Sequence, residues 1–461
     1  MKKYFVCLLI IPLILCSCTS KKSPEVTALQ GIRIGWATTD ITPAKPVQLF
    51  GQYGERISQG VHDPLYATAM AIESASGDVQ SIMVSMDILE GTFNLQKDLR
   101  NLLSGKLTGF NLKNLIITAT HTHTAPYPFT PPDRSQPAGL MTGDEYRSQI
   151  LLPKLTDIVV AAWNNRAAGA VGFAKGKADV GYSRICVYQD GHQVMLGSIV
   201  SDKGSPFVGF EGGNDPSLNL MYCFDTDGNI RGIVINIACP AQDVAGLSVV
   251  SADFWGEVRN QLQVRYPGIF ILEQCSAAGD QGPWNLSAGE KGDTSWTRRI
   301  AHANMIVNEV NRLFNSAQSS RQSSVELNNQ VRDYTLTQKA CYGISPFTWE
   351  LHTMRIGNTV FANNPFELYV GYGNAIKAQS MAAQTFLVQL SGTASDDFLI
   401  NYTYKGNLLY VGELAGYLPT AEAVSGGAYG AQDENGRVGP SGGTQLVSQT
   451  VSQINSLFTS R

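Results

Sequence analysis

The sequence predicts an α/β protein: one large domain built as a layered sandwich of mixed β-sheets flanked by helices. Apolar, β-favouring runs alternate along the chain with segments whose apolar residues recur at helical spacing. Such alternation indicates α/β layers. Polar and glycine-rich residues follow several of the strand-like runs, and neither a repeat nor a low-complexity linker interrupts the chain. Residues 31–461 are enough for one large domain or two ordinary ones.

The predicted elements follow from these patterns in chain order. The predicted strands lie within Gly31–Thr39, Val79–Leu89, Leu115–Thr122, Ile230–Pro240, Gly268–Ala278, Asn358–Pro365, Thr385–Gly392 and Leu408–Gly416. The predicted helices lie within Leu95–Leu107, Tyr146–Asn165, Asp253–Tyr266, Arg298–Phe314 and Gly442–Phe458. Loops that follow strand ends are where α/β proteins usually build their sites.

The N-terminus reads as a bacterial lipoprotein leader. Lys2 and Lys3 precede an apolar run too short to span a bilayer as a helix, and Leu15–Cys18 reads as a lipobox. We expect residues 1–17 to be removed, Cys18 to carry lipid, 18–30 to form a tether and 31–461 to form the folded body. The protein would then be exported, periplasmic or at the cell surface, and held to a membrane without spanning it. An ordinary secretory signal with incidental cysteines is the alternative.

The amino-acid composition limits the classes of partner and the kinds of cross-link that we expect for this protein. The formal charge is −4 with no basic run, which argues against nucleic acid. Nothing in the sequence indicates an obligate protein partner. The body holds an odd number of cysteines and no CxxC pair, which argues against a disulfide framework and a structural zinc site. Most of them are predicted to be buried free thiols, although one or two disulfides remain open.

Two histidines one residue apart close the predicted strand Leu115–Thr122. In a strand, residues i and i+2 point to the same side, so His121 and His123 can face one pocket together. The alternative is two polar residues at the point where a strand turns into a loop.

An ordered set of motifs resembles the neutral/alkaline (non-lysosomal) ceramidase family. The set covers nearly the whole body, and its order is more specific than any single motif. It consists of Ala37–Pro43, Gly60–Glu73, Met83–Leu89, Thr120–Pro126, Ser251–Gly256, Ala277–Pro283, Pro365–Glu367 and Gly416–Gly430. The resemblance implies the catalytic domain alone, since the immunoglobulin-like second domain of full-length ceramidases has no counterpart here.

The resemblance implies one zinc ion and cleavage of the amide bond between a fatty acid and a sphingoid base. Metal ligands fall on His121, Glu367 and Tyr417, and a proton-carrying imidazole falls on His123. Imidazole nitrogen and carboxylate oxygen suit catalytic zinc, and an unligated imidazole nearby can take and return a proton. Groups that can stabilise the oxyanion fall on Arg184 and Tyr429, and the resemblance implies that Tyr429 faces the scissile carbonyl.

Two positions depart from the family pattern. The second ligand histidine of the family is replaced by Pro240, so Gln242 is the predicted substitute, with Asp243 as the alternative. An oxygen ligand makes a harder ion such as Mg²⁺ or Ca²⁺ more competitive with Zn²⁺. A serine important for catalysis in the family is replaced by Gly282. Amide hydrolysis then requires water activated by the metal.

Three functions remain open from the sequence. The first is a lipid-anchored, metal-dependent hydrolase of an N-acylated amphiphile. The second keeps the fold but acts on a glycan or glycoconjugate, with Asp243 and Glu367 as acid/base carboxylates. The third is a binding lipoprotein without catalysis. Bound metal separates the first two from the third, and activity on lipid or oligosaccharide separates the first from the second.

Overall fold

The computed structural model describes Met1 and residues 30–52, 54–130, 137–292, 294–342, 346–391, 402–404, 407–409 and 415–459. The expected leader, Cys18 and the tether up to residue 29 lie outside the described residues. The strands are β1 (Gln30–Asp40), β2 (Gln48–Leu49), β3 (Arg56–Ile57), β4 (Tyr66–Ser74), β5 (Gln80–Met86), β6 (Leu115–Ala119), β7 (Ala167–Lys177), β8 (Tyr182–Ser183), β9 (Ile185–Tyr188), β10 (Gln193–Met195), β11 (Ser201–Asp202), β12 (Ser205–Phe210), β13 (Ser217–Asp225), β14 (Ile230–Ile237), β15 (Phe270–Cys275), β16 (Gln281–Gly282), β17 (Ser324–Val325), β18 (Leu327–Leu336), β19 (Phe347–Ile356), β20 (Thr359–Asn363), β21 (Glu367–Leu368), β22 (Gln384–Val388), β23 (Tyr402–Tyr404), β24 (Asn407–Leu409) and β25 (Tyr417–Leu418).

Helices cover both outer faces of these strands. They are α1 (Phe93–Leu103), α2 (Gly143–Tyr146), α3 (Leu152–Asn164), α4 (Phe254–Arg265), α5 (Trp296–Ser319), α6 (Val370–Gln379), α7 (Ala421–Ser425) and α8 (Pro440–Thr459), with a π-helical turn Arg147–Leu151 and short 3₁₀ turns Leu112–Asn114, Leu286–Ala288, Ala340–Tyr342 and Asp433–Asn435. Side chains cap several N-termini: Thr92 accepts from Leu95 N at α1, and Ser295 accepts from Arg298 N at α5.

Two sheets pack face to face between the helical layers. The larger runs β15-β14-β13-β7-β1-β4-β5-β6, with β14–β15 and β5–β6 parallel, and the second runs β18-β19-β20-β22. Trp36 and Met221 of the first sheet share one core with Met354 and Phe361 of the second. The larger sheet's other face packs on α1, α3, α4 and α5, and the second sheet's other face packs on α6 and α8. The result is four layers: helix, sheet, sheet, helix.

This architecture confirms the predicted fold class of mixed sheets flanked by helices. The predicted helices and most predicted strands form within a few residues of their expected bounds. The prediction Leu408–Gly416 is only partly testable, because residues 410–414 lie outside the described residues. Cys186, Cys223, Cys239 and Cys275 are buried free thiols and Cys341 is an exposed free thiol, as expected for most of them. No helix in the described part of the chain has the length and apolarity to cross a bilayer.

Candidate functional site

The seven predicted site residues come from five separate parts of the chain. His121 and His123 follow β6, and Gln242 follows β14. Arg184 lies between β8 and β9, and Tyr429 lies after α7. Glu367 and Tyr417 are direct partners in the short parallel pair β21–β25. Folding therefore has to bring distant loops together to form any shared centre.

His121 is buried, and its Nε2 faces both His123 and Glu367. Its Nδ1 lies 2.7 Å from the backbone oxygen of Leu89. Because a carbonyl only accepts, Nδ1 donates in this contact, which leaves the lone pair on Nε2 when the ring is neutral. That Nε2 lies 3.4 Å from Oε2 of Glu367. The His121 backbone is left-handed, with φ of 62°, which side chains with a Cβ seldom adopt.

His123 lies against both His121 and Gln242. Its Nε2 is 3.2 Å from Nε2 of His121 and 2.7 Å from the side-chain amide of Gln242. Burial, reinforced by the positive charges of Arg184 and Arg56, holds the pKa of His123 well below its usual value, so the ring is neutral near pH 7. Gln242 thus contacts the pocket through His123, and its role as a metal ligand stays a prediction.

Glu367 and Tyr417 form the opposite wall. Their backbones pair directly, and Glu367 N donates to Gly416 O at 3.0 Å. Burial, followed by the charge of Glu367, holds the pKa of Tyr417 well above its usual value. The phenol therefore stays protonated at neutral pH unless a cation binds beside it. A cation at Glu367 would reverse that effect.

Arg184 connects Tyr417 to Tyr429. Its Nη2 donates to the Tyr417 hydroxyl at 3.2 Å and to Gly279 O at 2.9 Å. Its guanidinium carbon lies 5.4 Å from the centre of the Tyr429 ring, within the range of a cation–π contact. Burial lowers the pKa of Arg184, but Tyr417 and Glu367 outweigh burial and raise it, so the charge is retained. Arg184 therefore places a fixed positive charge in the pocket.

These contacts bring all seven predicted residues into one continuous cluster. His121 is the branching point, with His123 and then Gln242 on one side. Glu367 lies on its other side, followed by three side chains that join in sequence: Tyr417, Arg184 and Tyr429. The alternative ligand Asp243 faces elsewhere: its carboxylate accepts from Arg298 Nε at 2.5 Å and lies 2.9 Å from His302 Nδ1.

Gly282 stands where the family has its serine, and no side chain fits there. A Cβ on Gly282 would lie 2.3 Å from the ring of Trp284. Gly51 has a comparable constraint, since its φ is 96° and a Cβ would lie 2.3 Å from the His123 ring. The first contact leaves no room for a serine side chain at position 282 while the Trp284 ring keeps its place.

The sequence did not predict the residues that support His121 and His123 through contacts with their backbone or rings. Arg56 donates to His123 O at 2.6 Å, and also to Phe50 O at 3.1 Å. Gly51 approaches the His123 ring so closely that a Cβ on it would lie 2.3 Å from that ring. The Leu89 carbonyl accepts from Nδ1 of His121 and so sets the tautomer of that ring. No motif marks Arg56 or Gly51, and a backbone carbonyl leaves no side-chain signal at all.

The predicted donor set fits a zinc ion in type, and one pair of its donors has the spacing of zinc ligands. Two ligands on one tetrahedral zinc with bonds of about 2.0–2.1 Å lie about 3.3–3.4 Å apart, and His121 Nε2 and Glu367 Oε2 are 3.4 Å apart. Among the described residues, no group of three or more His, Cys, Asp and Glu side chains is arranged to hold a metal. The predicted ligand set contains only two such residues, because the others offer phenol and amide oxygen.

Comparisons with known proteins agree with this architecture. The crystal structure of neutral ceramidase from Pseudomonas aeruginosa matches with a TM-score of 0.70 and 15% sequence identity, over 93% of this chain and 74% of that chain. A structure described as ceramidase complexed with C2 matches with a TM-score of 0.68 and 14% identity, over 93% of this chain and 76% of that chain. No protein-family model and no curated protein matches the sequence. At these identities the likeness shows the fold: the chain has a ceramidase-like fold.

Proposed function

We propose that this protein is a metal-dependent hydrolase that cleaves the amide bond of an N-acylated, ceramide-like amphiphile. The observation that carries the proposal is the approach of His121 to Glu367, with Tyr417 paired to Glu367, in a ceramidase-like fold. An imidazole, a carboxylate and a phenol from three distant parts of the chain thus lie together, and no arginine or lysine of the described residues is paired with the carboxylate.

The metal would be held by His121, Glu367 and Tyr417, with Gln242 as the fourth ligand. When bound, a zinc ion supplies a Lewis acid that polarises a carbonyl and lowers the pKa of water. Mg²⁺ and Ca²⁺ are the competing ions, because the set offers more oxygen than nitrogen. The Leu89 carbonyl keeps the lone pair of His121 on the side of Glu367.

The remaining residues have roles that follow from their charge states. His123 is neutral at pH 7, so its imidazole can accept the proton of the attacking water and return it to the leaving amine. Arg184 keeps its charge and, with the Tyr429 hydroxyl, stabilises the oxyanion that develops on the scissile carbonyl. The amide bond breaks to give a carboxylate and an amine.

The glycan alternative gains less support. It relied on Asp243 and Glu367 as an acid/base pair, and Asp243 is fully buried and paired with Arg298 and His302. The exposed oxygens that glycosidic cleavage needs are therefore missing on that side. We also propose that the substrate is taken from a membrane surface, to which lipid on Cys18 would hold the enzyme.

Activity assays on the full-length protein in detergent micelles test the proposal. We expect release of fatty acid from an N-acyl sphingosine-type substrate, loss of activity after dialysis against a chelator, and recovery on adding zinc. His123→Ala should lower kcat about 10²- to 10⁴-fold, whereas His192→Ala, in the turn between β9 and β10 where the imidazole contacts Asp190 and Asp202, should leave kcat unchanged. Oligosaccharide cleavage without amidase activity would favour the glycan function, and metal-free protein with neither activity would favour a binding lipoprotein.

A further inference from the structure

The left-handed turn at His121 needs a support that the ligand contacts do not provide. A residue with a Cβ at φ 62° is strained unless neighbouring contacts hold it there. The residue before it, Thr120, is fully buried, and its N–H donates to Met86 O at 3.0 Å. The Thr120 hydroxyl donates to Oδ1 of Asp87 at 3.2 Å. The support therefore starts one residue before the ligand.

Asp87 is fixed from three directions. Oδ2 accepts from Tyr66 N at 2.8 Å, and the carboxylate pairs with Arg259. Arg259 is held in turn by Glu273, whose Oε1 accepts from Nη1 at 2.7 Å. Asp87 and Thr120 are both fully buried and Glu273 nearly so. A carboxylate held this way cannot move without leaving a buried charge unpaired.

The segment that carries Asp87 also reaches the His121 ring. Two residues after Asp87, the carbonyl of Leu89 accepts from Nδ1 of His121 at 2.7 Å. One three-residue segment thus holds the turn through the Thr120 hydroxyl and the ring through the Leu89 carbonyl. Both contacts act on the same residue, so displacing the segment would change the direction of the Nε2 lone pair.

We propose that Asp87 is a positioning residue: through the Thr120 hydroxyl it fixes the backbone turn at His121, and this turn places the His121 ring where the Leu89 carbonyl can set its tautomer. The proposal rests on the proposed function, in which His121 binds the metal. Asp87 does not touch the pocket itself. If the Asp87–Arg259–Glu273 cluster only stabilised the fold, removing the Thr120 hydroxyl would change neither the Nδ1 proton of His121 nor the affinity for zinc.

Deleting that hydroxyl separates the two roles. Thr120→Val removes the donor and keeps the shape, Thr120→Ser restores the donor, and Thr120→Ala replaces the valine variant if valine does not fold. Thr156→Val is the matched control, because Thr156 is a buried threonine in α3 whose hydroxyl donates to Leu152 O at 2.8 Å. All variants are made in the full-length protein.

Two readouts keep the proposals distinguishable. The first is the His121 Nδ1 proton signal in the NMR spectrum of metal-free, ¹⁵N-labelled protein; the second is zinc affinity by chelator competition. We expect Thr120→Val to lose the signal and bind zinc about 10- to 100-fold more weakly, with Thr120→Ser and Thr156→Val like wild type. An unchanged signal in Thr120→Val, or equal loss in Thr156→Val, overturns the positioning role. Loss of the signal in Thr120→Val alone, in a protein that binds no zinc, supports positioning and overturns the proposed function.

Discussion

Two of the histidine–carboxylate pairs among the described residues have opposite surroundings. His302 lies 2.9 Å from Asp243, and Arg298 donates to the other Asp243 oxygen at 2.5 Å. His121 lies 3.4 Å from Glu367, and among the described residues no guanidinium or ammonium donates to that carboxylate. The Asp243 side chain is 0% exposed, whereas that of Glu367 is 18% exposed.

The difference separates a structural pair from a binding pair. Asp243 has both oxygens occupied and its charge balanced by a neighbouring arginine, so it needs nothing further. Glu367 contacts His121 and Tyr417, and its carboxylate forms no ion pair with an arginine or lysine side chain of the described residues. Gln242 and Asp243 are adjacent in sequence, yet only Gln242 faces the pocket. Because Gln242 and Asp243 are neighbours in the sequence, their positions alone could not show which of the two side chains lies near His123.

The largest effect is expected from breaking the saturated pair. Asp243→Asn leaves Arg298 buried without its counter-charge, so the free energy of unfolding should fall by about 3–5 kcal/mol, measured by denaturant titration. Asp190→Asn, at a largely exposed carboxylate, should cost about 0–1 kcal/mol. Folded Asp243→Asn protein should keep its zinc, and loss of zinc without loss of stability would reverse the assignment of the two pairs.

Asp280 is another buried carboxylate, and it is intermediate between Asp243 and Glu367 because only one of its two oxygens accepts a hydrogen bond. Oδ1 accepts from Val370 N at 2.8 Å, but the buried Oδ2 has no partner. Burial raises its pKa from 3.8 to about 7. The folded state therefore keeps a proton that the unfolded state loses above 3.8, so the free energy of unfolding falls between pH 4 and pH 7.

Asp280→Asn should remove that contribution, which is at most about 4 kcal/mol from the size of the pKa shift. The unfolding free energy of the variant minus that of the wild type is expected to increase as pH rises from about 4 to 7, because the wild-type value falls over this range. Denaturant titrations across this range measure it. A difference independent of pH would mean that Asp280 is ionised in the folded protein.

Removing the charge at Arg184 tests the open side of the comparison. Arg184→Met keeps an unbranched side chain but no donor, so kcat should fall about 10²- to 10³-fold while stability changes less. Arg312→Met, at a side chain that is 63% exposed, is the control. An Arg184→Met variant with a raised KM and normal kcat would indicate a binding role only.

The smallest effect is expected at the missing serine. Gly282→Ser forces a side chain into the Trp284 ring, and overpacking of this kind costs about 1–3 kcal/mol. Amidase activity should not rise, because the activated water is the proposed nucleophile. A gain in activity would show that Trp284 moves aside and that a serine role was only recently lost.

Strands were predicted well where β-branched residues dominate and poorly elsewhere. β6 and β14 are rich in isoleucine and appear near their expected bounds. β4 reads YATAMAIES and is buried along almost its whole length, so alanine and methionine hide it: they favour helices, and burial on both faces removes the alternation. β18 is missed because its asparagine-rich, half-exposed sequence gives no apolar run.

The residues of the site also fall into a group that the sequence could predict and a group that it could not. His121, Glu367 and Tyr417 carry chemistry in their side chains, so motifs can mark them, and the structure brings them together. The supports act through backbone atoms or through close approach, as with the Leu89 carbonyl and the Gly51 Cα beneath the His123 ring. Such contacts join residues that are far apart in sequence, and a single sequence holds no signal for them.

The most direct test of the comparison is elemental analysis of three purified proteins: wild type, His121→Ala and His302→Ala. Both histidines are buried beside a carboxylate, with 4% and 3% of their surface exposed. We expect one zinc or other divalent ion per chain in wild type and in folded His302→Ala, and none in His121→Ala. Equal metal content in all three proteins, or no metal in wild type, would contradict it.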